Sequence, residues 1–154
     1  MSDPVAGSLL GRVGRWGVSF VPATWEFVFG VGIQKLQTGG QAANICLSED
    51  TLPAGKLLYP YLVAQQTLFH RAFANPKIAG PSVIPFQGAE EAALLFLKHG
   101  QLESAATILQ AQTYVRCERW IGIVTFTTTA ERFSGLRANY QSFVAGLRIC
   151  QPYV

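Results

Sequence analysis

The chain has 154 residues, 49% of them hydrophobic and only 14% charged, and its net charge of +3 comes from 12 Lys and Arg against 9 Asp and Glu. That length fits one domain with one core, in which about two thirds of the unfolded surface is buried. The cations form no run, which speaks against a nucleic-acid surface, because neutralising a phosphate backbone needs a concentrated stripe of Lys and Arg. The longest charge-free stretch, Leu57 to His70, is 14 residues and contains Pro60, Gln65 and Gln66. It falls short of the ~18 to 20 apolar residues a membrane helix requires, so no stable membrane insertion is expected.

The charged fraction is low against about 25% in ordinary soluble proteins. A chain so poor in charge leaves much of its surface apolar or hydroxylic, which points to coverage by a second copy or a partner. MSDPVAGSLLGR, at the N-terminus, lacks the positive start and apolar core of a secretory signal, so a cytoplasmic location is expected. Cys46, Cys117 and Cys150 are odd in number and widely spaced, which fits reduced thiols.

Residues 1–15 are rich in Gly and small side chains, have no period and read as a loose arm; residues 16–154 read as one domain. Trp16, Val18 and Phe20 alternate, and after Pro22 so do Trp25, Phe27, Phe29, Val31 and Ile33, which predicts two strands around the VPATW turn. A short strand is expected at Ala42 to Ser48, followed by the polar SEDTLPAG loop. From Leu58 to Phe73 the apolar spacing becomes helical, with Leu58, Tyr61, Leu62, Leu68, Phe69 and Ala72 on one side. Pro60 is tolerable only in the first turn, so the helix starts near Tyr59, and ANP at 74–76 stops it.

After the turn-rich IAGPSVIP, strands are predicted at Glu91 to Lys98, Ala105 to Arg116 and Trp120 to Thr127. The first runs against propensity, since GAEEAALLFLKH is made of good helix formers. The other two are rich in Thr, Ile, Val, Tyr and Phe and are joined by a hairpin at Cys117 to Arg119. On the first of that pair Ile108, Gln110, Gln112 and Tyr114 share one face, and Thr107, Leu109, Ala111, Thr113 and Val115 share the other. The last element, Ala130 to Leu147, spaces Phe133, Leu136, Tyr140, Phe143, Val144 and Leu147 by threes and fours, the pattern of an amphipathic helix. The order implies an α+β fold, an antiparallel β-sheet flanked by helices in an α/β/α sandwich.

Little of this carries reaction chemistry. The three threonines of VTFTTTAERF fit a helix start, with Thr128 and Glu131 as the two ends of a capping box, better than a nucleophile, which would need a base nearby. His70 and His99 with the three cysteines show no metal-ligand spacing, so no metal and no cofactor are expected; a Cys/His nucleophile pair assembled by the fold stays open as an alternative. GRVGRWG at 11–17 precedes a strand, and AGKLL at 54–58 lacks the rest of a phosphate loop. Adjacent carboxylates at Glu49 and Asp50, and at Glu90 and Glu91, read as loop and strand-edge solvation. Gln110 and Gln112 remain, because an amide buried without partners is costly: water covers them or something binds there.

Four pieces carry a resemblance: the P-x-x-W turn at Pro22 to Trp25, LPAG at 52–55 leading into a helix, the glutamine strand LQAQTYV at 109–115, and VTFTTTAERF running into a helix that ends SFVAGLRI. In order and spacing, over roughly residues 16–149, they resemble the PsbP/Mog1/DcrB-like superfamily, and within it the cytoplasmic DcrB-like chaperones associated with type VI secretion effectors. The resemblance implies a dimeric, non-enzymatic chaperone or adaptor that holds the hydrophobic transmembrane helices of a secreted effector. It places Gln112, with Gln110 and Tyr114 beside it, at the family's binding glutamine, and assigns apolar contacts to Val28, Val31 and Ile33. Gly30 and Gly32 depart from it, falling where branched apolar side chains are expected. A small regulatory protein-binding module of Mog1 type is the other reading of the same resemblance.

Overall fold

The computed structural model describes residues 9–28, 30–37, 40–101 and 104–152. Its elements in order are β1 (Gly11–Val13), β2 (Trp16–Val18), β3 (Trp25–Val28), β4 (Gly32–Gln37), β5 (Gly40–Thr51), α1 (Leu58–Ala72), β6 (Lys77–Val83), β7 (Glu91–Gln101), β8 (Ser104–Cys117), β9 (Trp120–Thr129), α2 (Ala130–Ala145) and β10 (Leu147–Ile149). Seven strands form one antiparallel sheet in the order β3-β4-β5-β9-β8-β7-β6, and a small sheet has the order β1-β2-β10. With α1 on one face and α2 on the other, the chain has the expected α+β sandwich.

Several expectations need correction. The alternating run from Trp25 to Ile33 is a hairpin rather than one strand, because the chain reverses between β3 and β4 with Val28 paired to Gly32. Two glycines make the reversal: Gly30 has φ +75°, and Gly32 has φ +149° with Ile45 O only 2.1 Å from where a Cβ would stand. A branched side chain has no room at Gly32, so the sequence departs from the resemblance for a backbone reason. The stretch expected as a loose arm contributes β1, although residues 1–8 lie outside the described residues. IAGPSV, expected as turns, lies within β6 at the edge of the large sheet, its pairing interrupted between Ala79 and Ser82. Gly-Pro pairs hide an edge strand from a propensity reading, since an outer strand tolerates a residue that cannot donate. The segment from Glu91 is a strand, as expected and despite its helical propensity, because both its neighbours are strands and its side chains fill both cores.

α2 begins one residue later than the capping-box reading requires. Thr129 is the cap and its hydroxyl accepts from Arg132 N at 3.3 Å, so the residue three positions on is arginine and no reciprocal glutamate exists. Thr128 is instead a buried strand residue paired with Leu109.

The α2 layer holds the larger core. Phe126 lies at its centre, fully buried and stacked on Tyr140 at 5.1 Å, with Trp25 and Phe133 tilted against it. The small sheet closes one end of this layer through Trp16, which packs edge-on against Phe86 and Trp120 and donates to Ser48 O at 3.1 Å. The Glu49 carboxylate fastens the same corner, accepting from Arg15 N at 3.1 Å and Trp120 Nε1 at 2.5 Å.

Candidate binding face

The face opposite α2 is only partly roofed. α1, about 22 Å long at 1.5 Å per residue, packs Leu58, Leu62, Tyr61 and Phe69 against Ile78, Ala93, Leu95, Tyr114 and Ile121. It lies along β7: Leu58 N donates to Glu91 at one end of that strand, and Phe73, just past the helix, stacks on His99 at the other. Strands β3, β4 and most of β5 therefore carry no helix on this side.

Strand pairing fixes what the uncovered part presents. Gln110 is opposite Thr127, Thr127 opposite Asn44, Asn44 opposite Gln34 and Gln34 opposite Glu26. One step along, Gln112, Thr125, Cys46, Gly32 and Val28 form a second row. Because facing residues in paired strands point to the same side, these rows make a strip of amides and hydroxyls, half-buried from Gln110 to Gln34.

Gln112 lies at the margin between that strip and α1. It is only 5% exposed and hydrogen-bonded at both amide atoms: its Nε2 donates to Gln110 Oε1 at 3.0 Å, and the Tyr114 hydroxyl donates to its Oε1. Tyr114 in turn lies edge-on to Tyr61, whose hydroxyl donates to Asp50 Oδ2 at 2.7 Å. Burial pushes both tyrosine hydroxyls well above their ordinary range, and for Tyr61 the Asp50 hydrogen bond and charge push further. Tyr114 therefore stays a neutral donor, and the relay Tyr114 to Gln112 to Gln110 keeps one direction, ending at half-buried Gln110 on the open strip.

Of the six predicted contact residues, Gln110, Gln112 and Tyr114 form this single network. Val28 shares the face but lies on the outer strand β3, with β4, β5 and β9 between it and β8. Val31 is in the β3–β4 turn and 45% exposed. Ile33 belongs elsewhere: it is 1% exposed and sits in the α2-side core, because it pairs with Phe27 and shares that residue's face, whereas Val28 pairs with Gly32 on the other. Sequence alternation found the glutamine face but could not show that Gln112 is already hydrogen-bonded from within.

A second feature escaped sequence reading. Between the start of α1 and strands β6 and β7 lies an apolar cleft of about 430 Å³, lined by Leu58, Leu62, Val83, Phe86 and Ala93 among others. Its polar end is the pair Glu90 and Glu91, both gripped by Arg116 at 2.6 and 2.5 Å. The adjacent carboxylates thus form one ion-pair cluster instead of separate solvated groups. Burial raises the Glu91 carboxyl, but the Arg116 hydrogen bond, the Leu58 N–H and the guanidinium charge outweigh it and hold the group below its ordinary value.

Cys117 and His99 are not brought together as a pair. Cys117 and His99 are opposite ends of the β7–β8 ladder, since Arg116 faces Glu91 and Ile108 faces His99, about 30 Å apart at ~3.3 Å per residue. Cys46 bonds Asn44 on its own strand, and burial raises its thiol pKa, which disfavours the thiolate a nucleophile needs. Among the described residues no group of three or more His, Cys, Asp or Glu is placed to hold a metal, and no helix is long and apolar enough to cross a membrane.

No protein-family model matches the chain, and no curated protein matches it in sequence. Solved structures do. A protein of unknown function from Pseudomonas aeruginosa, PA94, described as a candidate regulator, is 13% identical with a TM-score of 0.63 over 94% of this chain and 88% of its own. LpqN of Mycobacterium tuberculosis, described as involved in cell envelope biogenesis, is 14% identical with a TM-score of 0.64, covering 92% of this chain and 88% of its own. Cyanobacterial PsbP from Synechocystis is 9% identical with a TM-score of 0.54, covering 91% and 95%. The fold is that of the PsbP/Mog1-like α+β proteins.

Proposed function

We propose that the protein is a non-enzymatic binding protein, a cytoplasmic chaperone or adaptor that shelters the apolar transmembrane helices of a type VI secretion effector and works as a homodimer. One observation carries the reading: α1 roofs β6 to β8 and the Ile121 end of β9, leaving a strip beside it with the Gln112–Gln110 relay at its margin. A guest helix laid there along the flank of α1 would meet Val28, the methyls of Thr125 and Thr127, and exposed Leu68. Gln110, held by Gln112 from behind, offers an amide to serine hydroxyls or carbonyls that a membrane segment leaves without water. The low charge of the chain agrees with a surface meant to be covered, and the fold it shares with PA94, LpqN and cyanobacterial PsbP is compatible with a binding module.

The test is co-expression of an effector segment bearing a transmembrane helix with and without this protein. Recovery of the segment in the soluble fraction only when the protein is present supports the proposal, and recovery should fall when Gln110 is changed to Leu. Equal solubility of the segment alone would overturn it.

A further inference from the structure

Lys77 opens β6 and stands directly opposite Lys98 on β7. Both are exposed, and among the described residues no hydrogen bond or ion pair engages either; the ion pairs there belong to Arg116. Like charges facing each other across an antiparallel pair, with Cβ atoms roughly 4.5 to 5.5 Å apart, destabilise the ladder. A lysine on an outer strand protects a sheet against edge-to-edge pairing, which accounts for Lys77. It does not account for Lys98, because β7 is an inner strand with β6 and β8 on either side.

The same two lysines line a shallow cleft of about 300 Å³ whose other walls are Ile78, Ala79, Phe96 and Leu109. That volume is at the small end of ligand pockets. Phe96 faces Ala79 across the strands and is held edge-on by Phe133 of α2 at 5.9 Å, so the apolar floor is a fixed part of the α2 layer. Lysine stems lie readily along such a surface while the ammonium groups stay at the rim. The cleft is thus apolar below and doubly cationic above, with no acidic side chain among the described residues that line it.

We infer that this cleft binds an amphiphilic anion, a carboxylate carrying a short alkyl chain, with the head between the two ammonium groups and the chain along Ala79, Phe96 and Leu109. The anion relieves the Lys77–Lys98 opposition, and the chain covers apolar surface that the fold leaves bare. The site is on the α2 face, away from Gln112, and does not depend on the chaperone reading.

The test is titration of the intact protein with sodium octanoate below its micelle concentration, by calorimetry and by amide chemical shifts, beside 1-octanol and sodium phosphate at matched ionic strength. Octanoate should saturate the site and bind more tightly than either control. Lys77→Gln and Lys98→Gln should each weaken it about fivefold, Ala79→Leu should weaken it by filling the cleft, and Lys56→Gln should not. Binding of octanol or of phosphate as tight as that of octanoate would overturn the inference, as would affinity unchanged in both lysine variants. Binding to phosphatidylglycerol vesicles without binding of octanoate would also overturn it, since the lysines would then belong to a membrane-facing patch.

Discussion

On the α2 side of the large sheet, Trp25, Ile33, Ile45, Phe126, Ala111 and Val115 lie side by side and nearly dry, roofed by Leu136, Tyr140 and Phe143. On the α1 side the same strands carry Gln34, Asn44, Cys46, Thr125 and Gln110, and the helix covers only one flank. Strand alternation forces this division, since each residue of a paired strand belongs to one face or the other. One face is committed to holding the fold, which releases the other to hold something else.

Four experiments bear on that contrast. The largest effect is expected from Phe126→Ala, which removes a fully buried ring stacked on Tyr140 and should cost about 3 to 5 kcal/mol in chemical denaturation. A cost below about 1 kcal/mol would mean that the α2 layer is not the main source of stability.

On the opposite face, Gln112→Leu should cost about 1 to 3 kcal/mol, because it leaves the buried Tyr114 hydroxyl without its acceptor. Adding Tyr114→Phe should recover much of that loss, since removing both partners deletes the unmet demand. If the double variant is no better than the single one, the relay is not what stabilises this face.

The two helices also start differently, and acid separates them. Glu91 caps α1 from a distance, accepting from Leu58 N at 3.0 Å while paired with Arg116. Its folded pKa is depressed, so its contribution, about 1 kcal/mol, is present above the unfolded carboxylate value near 4.3 and is lost as pH falls through the lower folded value. In urea unfolding, Glu91→Gln should therefore be less stable than the parent at pH 7, with the gap closing below about pH 4. A gap that persists at pH 3 would show that the carboxylate charge is not the cause.

The smallest effect belongs to the start of α2, where Thr129→Ala should cost about 0.5 to 1 kcal/mol by removing the hydroxyl that accepts from Arg132 N. Thermal unfolding reads it directly, and Thr129→Ser should restore the parent value.

Where side-chain period and local chemistry agree, the sequence was enough: the β8–β9 hairpin, the glutamine face and both helices follow from spacing alone. It misled where a backbone turn broke a continuing period. Trp25 to Ile33 alternates without a gap, and only the positive φ values at Gly30 and Gly32 show that the chain doubles back; alternation alone already groups Ile33 with Trp25 and Phe27, the face on which it is buried. It was silent where an element is too short to have a period, as in β1 and β10, or is written in Gly and Pro, as in β6. The candidate site was half legible, since alternation placed Gln110, Gln112 and Tyr114 together but says nothing about their partners.

The small sheet has a consequence for how the chain is made. β2 is its middle strand, and Val18 pairs with Gly11 on one side and with Leu147 on the other. A ribosome that has released the first meander must therefore synthesise the rest of the domain before β10 can reach β2. Until then Trp16, fully buried in the finished protein, lacks the strand that pairs beside it. Translation thus leaves an aromatic side chain waiting, and a slow codon just before Leu147 should expose the nascent chain to proteases longer than one placed after Ile149.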